Sequence, residues 1–161
     1  IRPADARETV EAFKIAYKST ETPTVIILSR QNLTVRNTNS DLVNKGAYII
    51  KDCEKPDYIL LATGSEVSLA YEVSKLIKNV KVVSMPSEFL FNQQSEEYKK
   101  SILNDREKTV AIEMGTTLGW YKYANNVIGI DTFGLSAPAK VLAQHFGFTA
   151  EEIVKKIQSF K

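Results

Sequence analysis

The stretch DYILLATGSEVSLA, residues 57–70, changes its periodicity halfway along. Asp57 to Thr63 is an almost unbroken apolar run, the pattern of a strand covered on both faces. Gly64, Ser65 and Glu66 then open a helix that the spacing carries to about Ile77. A strand that passes into a helix through a glycine turn is half of a βαβ unit, and similar halves follow. VKVVSM (80–85) leads into PSEFLFNQQSEEYKKSIL, whose second half is amphipathic. KTVAIEM (108–114) and NVIGID (126–131) are two more strands, with a glycine-bearing loop and a short helix between them. Helices near 137–146 and 150–160 close the chain, the last begun by Thr149 with Glu152 three residues on, a capping box. Strands alternating with helices at this spacing predict a largely parallel sheet with both faces covered. GAYIIKD (46–52) departs from the pattern. Only Cys53 to Pro56 separates it from the next strand, too little for a helical crossover, so as sheet neighbours the two would have to be antiparallel. The expected sheet is five-stranded and mixed.

Upstream of it the pattern is incomplete. In RPADARETVEAFKIAYKS, Asp5 is placed to cap a helix over 6–17, with Val10, Phe13, Ile15, Ala16 and Tyr17 as its apolar face. TVIILSRQNL (24–33) then reads as a strand, Thr24 to Leu28, running into Ser29, Arg30, Gln31 and Asn32 with no glycine or proline to mark the turn. A helix and a strand with no strand before them form an α/β unit without its beginning. With no initiator methionine either, the expectation is a piece of a longer chain. From Arg30 to Gly46 the sequence is rich in Asn, Thr and Ser and predicts an interdomain linker.

The bulk composition excludes several classes. With 161 residues, 43% of them hydrophobic, the chain can bury a core without disulfides or metal. A net charge of +2 with no block of like charge argues against nucleic acid. There is no run of 18 apolar residues, so no membrane span is expected, and the N-terminus carries no signal-peptide pattern. The single cysteine, Cys53, suits a reducing compartment, and the carboxylates of Asp52 and Glu54 beside it work against a thiolate nucleophile.

Residues able to carry chemistry are few. His145 is the only histidine and sits near a helix end, where a packing role or one complementing the helix dipole is the ordinary one. One cysteine and one histidine do not make a zinc site, and neither a Walker A pattern nor a GxGxxG after a strand is present. The turn at Gly64-Ser65 offers backbone N–H groups at a helix N-terminus, a place for an anion and equally the ordinary strand-to-helix link. DTFGLSAP (131–138) carries the same ambiguity. Arg30 stands at a strand's carboxyl end, where open α/β sheets take ligands, and its guanidinium suits phosphate. By chemistry alone, an ion pair with a nearby carboxylate explains it as well.

In order along the chain, IRPADA, VIILSRQNL, KGAYII, DYILLATGSEVSLA, VKVVSMPS, FNQQSEEYKKSIL and IGIDTFGLSAPAKVL resemble the C-terminal third of the transketolase family. SRQNL and DTFGLSAPA separate it from related thiamine-diphosphate enzymes of the same architecture. The resemblance implies that residues 1–35 are the end of a pyrimidine-binding domain plus the start of a linker. Residues 36–161 would be a three-layer α/β/α domain with a five-stranded mixed sheet whose first strand is antiparallel. It implies that Arg30 binds the phosphate of sugar-phosphate substrates. The implied enzyme is a cytoplasmic homodimer that moves a two-carbon ketol unit with thiamine diphosphate and Mg or Ca. The family's segments for cofactor, metal and catalysis match nothing here, so no catalytic, cofactor-binding or metal-binding residue is assigned, and the isolated chain is expected to be inactive with no bound cofactor. The alternative is a non-catalytic module that supports a dimer, with a regulatory anion site at Gly64 and Ser65.

Overall fold

Five strands join in the order β1-β3-β2-β4-β5, with β1 at Tyr48–Lys51, β2 at Tyr58–Ala62, β3 at Val80–Ser84, β4 at Thr109–Ile112 and β5 at Asn126–Ile128. This is a computed structural model, and it describes residues 1–160. β2 pairs in parallel with β3 and with β4, β4 in parallel with β5, and β1 runs antiparallel to β3. The mixed sheet with an antiparallel first strand is the one expected, but β1 is the neighbour of β3 and not of β2. Both edges of β2 are taken by parallel partners, β3 and β4. The short link to β2 therefore arches over the starting end of β3, where the Asp57 amide donates to the Asn79 carbonyl at 2.8 Å.

Alternate residues of β2 explain its unbroken apolar run. Leu60 and Ala62 face one layer, with Val67, Ala70 and Val73 of α2 (Glu66–Leu76) and Ile153 and Ile157 of α6 (Ala150–Ser159). Ile59 and Leu61 face the other, with Phe91 of α3 (Glu88–Asn92) and Ile102 of α4 (Glu96–Ile102). A strand with helices on both faces has no polar side to show. Thr149 caps α6 by accepting from the Glu152 amide, and α5 (Ala139–His145) precedes it, as the spacing predicts. α3 is the element the periodicity does not reveal: five residues make little more than one turn, started by Ser87 accepting from the Leu90 amide.

The expected linker includes a 3-10 turn at Ser40–Lys45, and Gly46 ends it at φ 83°. A Cβ there would stand 2.1 Å from the Phe91 nitrogen, so this turn requires glycine both for its φ and for the close approach of α3.

The N-terminal part differs most from expectation. α1 (Ala6–Lys18) forms as expected, capped by Asp5, whose carboxylate accepts from the amides of Arg7 and Glu8. Yet it buries only Glu8 and Ala12, while Val10, Phe13 and Tyr17 of its apolar face are 54%, 57% and 90% exposed. Residues 24–28 are extended but belong to no sheet, because a strand needs a bonded neighbour along its length and among the described residues only Ile1 bonds to their backbone. What ties α1 to the sheet is polar. Glu8 accepts from Tyr48 Oη at 2.8 Å, Ser84 Oγ at 2.7 Å and the Ala4 amide at 2.7 Å. Burial pushes its carboxyl above the ordinary value.

Candidate functional site

The chain leaves β2 for β3 on one side and returns past β2 to β4 on the other, so the sheet's switch point lies at the carboxyl ends of β2 and β4. Ligands of open α/β sheets bind there. A cavity of about 510 Å³ opens at this place, lined by Thr63, Met85, Phe89, Glu113, Thr116 and Trp120 among others. Its wall holds the chain's own Arg2. That guanidinium donates to Glu113 as a fork, at 2.6 and 3.2 Å, and to Glu66 at 3.4 Å. Glu66 and Glu113 are buried, at 2% and 5% exposure. Burial and the nearby Glu113 push the Glu66 carboxyl up. For Arg2, burial works against the charge, but the bonds and charges of Glu113 and Glu66 outweigh it and raise its pKa.

Sequence reasoning passed over this trio. Glu113 carried a signal: a carboxylate at the end of an otherwise apolar inner strand has to find a partner. Nothing local points from Glu113 to Arg2, more than a hundred residues away along the chain.

Three N–H groups at the Gly64-Ser65 turn are bonded within the protein. Gly64 donates to the Arg2 carbonyl at 3.2 Å, Glu66 to Thr63 at 3.3 Å and Val67 to Gly64 at 3.3 Å. Ser65 Oγ donates to Glu66 at 3.0 Å, which puts the helix's own carboxylate at its N-terminus. Ser29 and Gln31, on either side of Arg30, share a hollow of about 210 Å³ with Gly64 and Ser65, so two of the segments singled out in the sequence face each other. Arg30 itself is exposed. His145 is exposed and meets the Phe146 ring edge-on, 4.9 Å away between centroids. Cys53 is half-buried and free. In the loop after β5, Asp131 accepts from the Thr117 amide at 2.8 Å and from the hydroxyls of Thr116 and Thr117, which holds its carboxyl below the ordinary value. Beyond it residues 132–140 are exposed, Phe133 at 98%.

Among the described residues no three His, Cys, Asp or Glu side chains converge as metal ligands, and no helix is long and apolar enough to cross a membrane. Glu66 and Glu113 lie close together and share the single guanidinium of Arg2. These residues do not fit a metal-bound diphosphate, and no chemical step is assigned to them through one.

Residues 46–149 match the family model of the transketolase-like TK C-terminal domain. A transketolase of Staphylococcus epidermidis is 47% identical over 99% of this chain, which covers 26% of that protein. The solved transketolase of Leishmania mexicana superposes with a TM-score of 0.94 at 39% identity, over 99% of this chain and 24% of that one. A Pichia stipitis transketolase in complex with sedoheptulose-7-phosphate gives the same TM-score, 0.94, at 38% identity, again with 99% and 24% covered. The chain thus spans about a quarter of the length of the relatives it matches. It belongs to the transketolase family and carries that family's C-terminal domain.

Proposed function

We propose that this chain works as the C-terminal portion of a cytoplasmic, homodimeric transketolase that transfers a two-carbon ketol unit between sugar phosphates. The likeness runs over 99% of the chain to enzymes of that name, one of them solved with a sugar phosphate bound. Arg30 is the residue assigned to the substrate phosphate. The observation that carries this is its placement: an exposed arginine in the SRQNL segment, between Ser29 and Gln31, which share a hollow with the turn that follows β2 at the sheet's carboxyl edge. Thiamine diphosphate and its Mg or Ca are held by parts of the enzyme outside these residues, and supply the carbanion chemistry when bound. By itself the chain is inactive.

Residues 1–35 are read as the end of the preceding domain. Two observations support this: the uncovered apolar face of α1, and the bonds Ile1 makes to Val25 and Ile27, which repeat the pattern of a parallel ladder. The test is a chimera in which this chain replaces the matched quarter of the S. epidermidis transketolase. Two-carbon transfer within tenfold of the parent enzyme is expected. A folded, cofactor-loaded chimera without turnover contradicts the proposal.

A second reading, a non-catalytic module that supports the dimer, draws on the exposed Phe133, Leu135 and Val141. Gel filtration of the chain alone decides it: a dimer favours this reading, a monomer removes it.

A further inference from the structure

Residues 2–8, RPADARE, are seated at the carboxyl end of the sheet by bonds that reach β1, β2, β3 and β4 in turn. Arg2 reaches three of them. Its amide donates to the Pro86 carbonyl after β3 at 2.7 Å, and its carbonyl accepts from the Gly64 amide at 3.2 Å and from Thr63 Oγ1 at 3.4 Å, both after β2. Its guanidinium makes the two-pronged contact with Glu113 after β4 and extends to Glu66 at the start of α2. Glu8 reaches the remaining strand. Tyr48, the first residue of β1, and Ser84, the last of β3, are paired across the two strands, and both hydroxyls donate to Oε1 of Glu8. Between Arg2 and Glu8, Ala4 packs in one core cluster with Leu60 and Ala62 of β2, and Asp5 Oδ2 accepts from the Arg36 amide at 2.9 Å.

The two surfaces match in charge as well as in place. Glu66 and Glu113 at the sheet's end meet the guanidinium of the segment, while the hydroxyl donors Tyr48 and Ser84 meet its carboxylate. All four are buried, and so are Pro3, Ala4, Asp5 and Glu8 of the segment. Without the segment, two buried carboxylates would lose their counter-charge and two buried hydroxyls their acceptor. None of these bonds uses the chain's first nitrogen, so all of them serve equally in a longer chain. The whole Leishmania mexicana enzyme superposes on 99% of this chain, so α1 and the sheet keep one arrangement there as well.

An open α/β sheet takes its diffusible ligands at this end. We infer that here the place is a docking socket for the chain's own RPADARE segment, and that the C-terminal domain uses it to hold the domain before it. The second clause rests on the reading of residues 1–35 as the end of that domain. The polar groups at the strand ends are committed to the chain itself, through an arginine and a glutamate six residues apart.

Cutting the folded chain tests the socket. A protease site is inserted between Thr20 and Glu21, both exposed, and the folded protein is cleaved there. Residues 1–20 are then held to the remainder by contacts alone, and they should stay with it through gel filtration at micromolar concentration. The double variant Tyr48→Phe, Ser84→Ala removes both hydroxyl donors, and Glu113→Gln removes the charge under the fork. Each should release the piece at least tenfold faster. Glu96→Gln, on the surface of α4, should leave the rate unchanged. Hydrogen exchange at the Ile59 amide, inside the sheet, should change less than twofold in every variant, which shows that the sheet stays folded as the piece leaves. If one socket variant does not fold, the other and the unmodified cut chain still decide. Loss of residues 1–20 from the unmodified cut chain with Ile59 protected overturns the inference, and so does release no faster in the socket variants.

A calorimetric scan of the chimera described above tests the role between domains. The preceding and C-terminal domains should unfold in one transition, which the Tyr48→Phe, Ser84→Ala pair splits into two. Two transitions already in the unmodified chimera, with residues 1–20 retained in the cut chain, would overturn both the holding role and the reading of residues 1–35 while the socket itself stands.

Discussion

Val25-Ile26-Ile27-Leu28 and Ile59-Leu60-Leu61-Ala62 are close to the same peptide in chemical terms, yet they have opposite fates. All four residues of the second are fully buried, between β3 and β4 and between two layers of helices. The first lies extended on the surface, bonded to one residue. An apolar run gives a segment the capacity to be a strand; neighbours along both edges and cover on both faces make it one. The same contrast holds for α1 and α2. α2 buries Val67, Ala70 and Val73 against the sheet, whereas α1 turns Val10, Phe13 and Tyr17 outward and is held through the carboxylate of Glu8.

Truncations on either side of this comparison should differ several-fold. Leu61→Ala, inside the complete unit, should cost about 2–5 kcal/mol, since the closed sheet leaves a cavity that does not collapse. Urea or guanidinium denaturation measures it, and a cost under about 1 kcal/mol would mean that the sheet is not packed as described. Glu8→Ala joins the two regions and should come next, at about 2–3 kcal/mol, because it strands the buried donors Tyr48 and Ser84. A loss confined to α1, with the sheet's exchange protection intact, would show that α1 and the sheet unfold separately. Ile27→Ala should be the smallest, within about 0.5 kcal/mol, as for other surface positions. A larger cost would show that residues 24–28 are covered in solution.

Glu8 also has a pH dependence of defined sign. Its folded pKa is raised, so the protonated form is favoured in the native state. Its contribution to stability is complete below the ordinary value of 4.5 and is lost as pH rises through the folded value. Glu66 behaves in the same sense. Stability of the Glu8→Gln variant should therefore fall less steeply above pH 4.5 than that of the unmodified chain. Equal slopes would mean that the three donors around Glu8 keep it ionised at its unfolded pKa.

The sheet was legible in the sequence because β2, β3 and β4 are buried along their whole or nearly whole length, which shows as apolar continuity, and their turns carry glycine, proline or a capping residue. The β1–β3 pairing was not, since a half-buried strand with a short link to the next fixes direction and leaves the neighbour open. α3 escaped for lack of length. At the site, SRQNL and the Gly64 turn stood out as local patterns, and the structure sets them across one hollow. The clamp on Arg2 is a contact between residues 2, 66 and 113, and no local pattern encodes a contact of that range.

The most direct test of the account is the kinetics of Arg30→Ala in the chimera, with a phosphorylated acceptor and its non-phosphorylated counterpart. Loss of a charged hydrogen bond to phosphate predicts a fall in kcat/KM of about tenfold to 150-fold for the first, equivalent to about 1.5–3 kcal/mol, and little change for the second. Equal losses for both acceptors would make Arg30 a structural residue and contradict its assignment to the substrate phosphate.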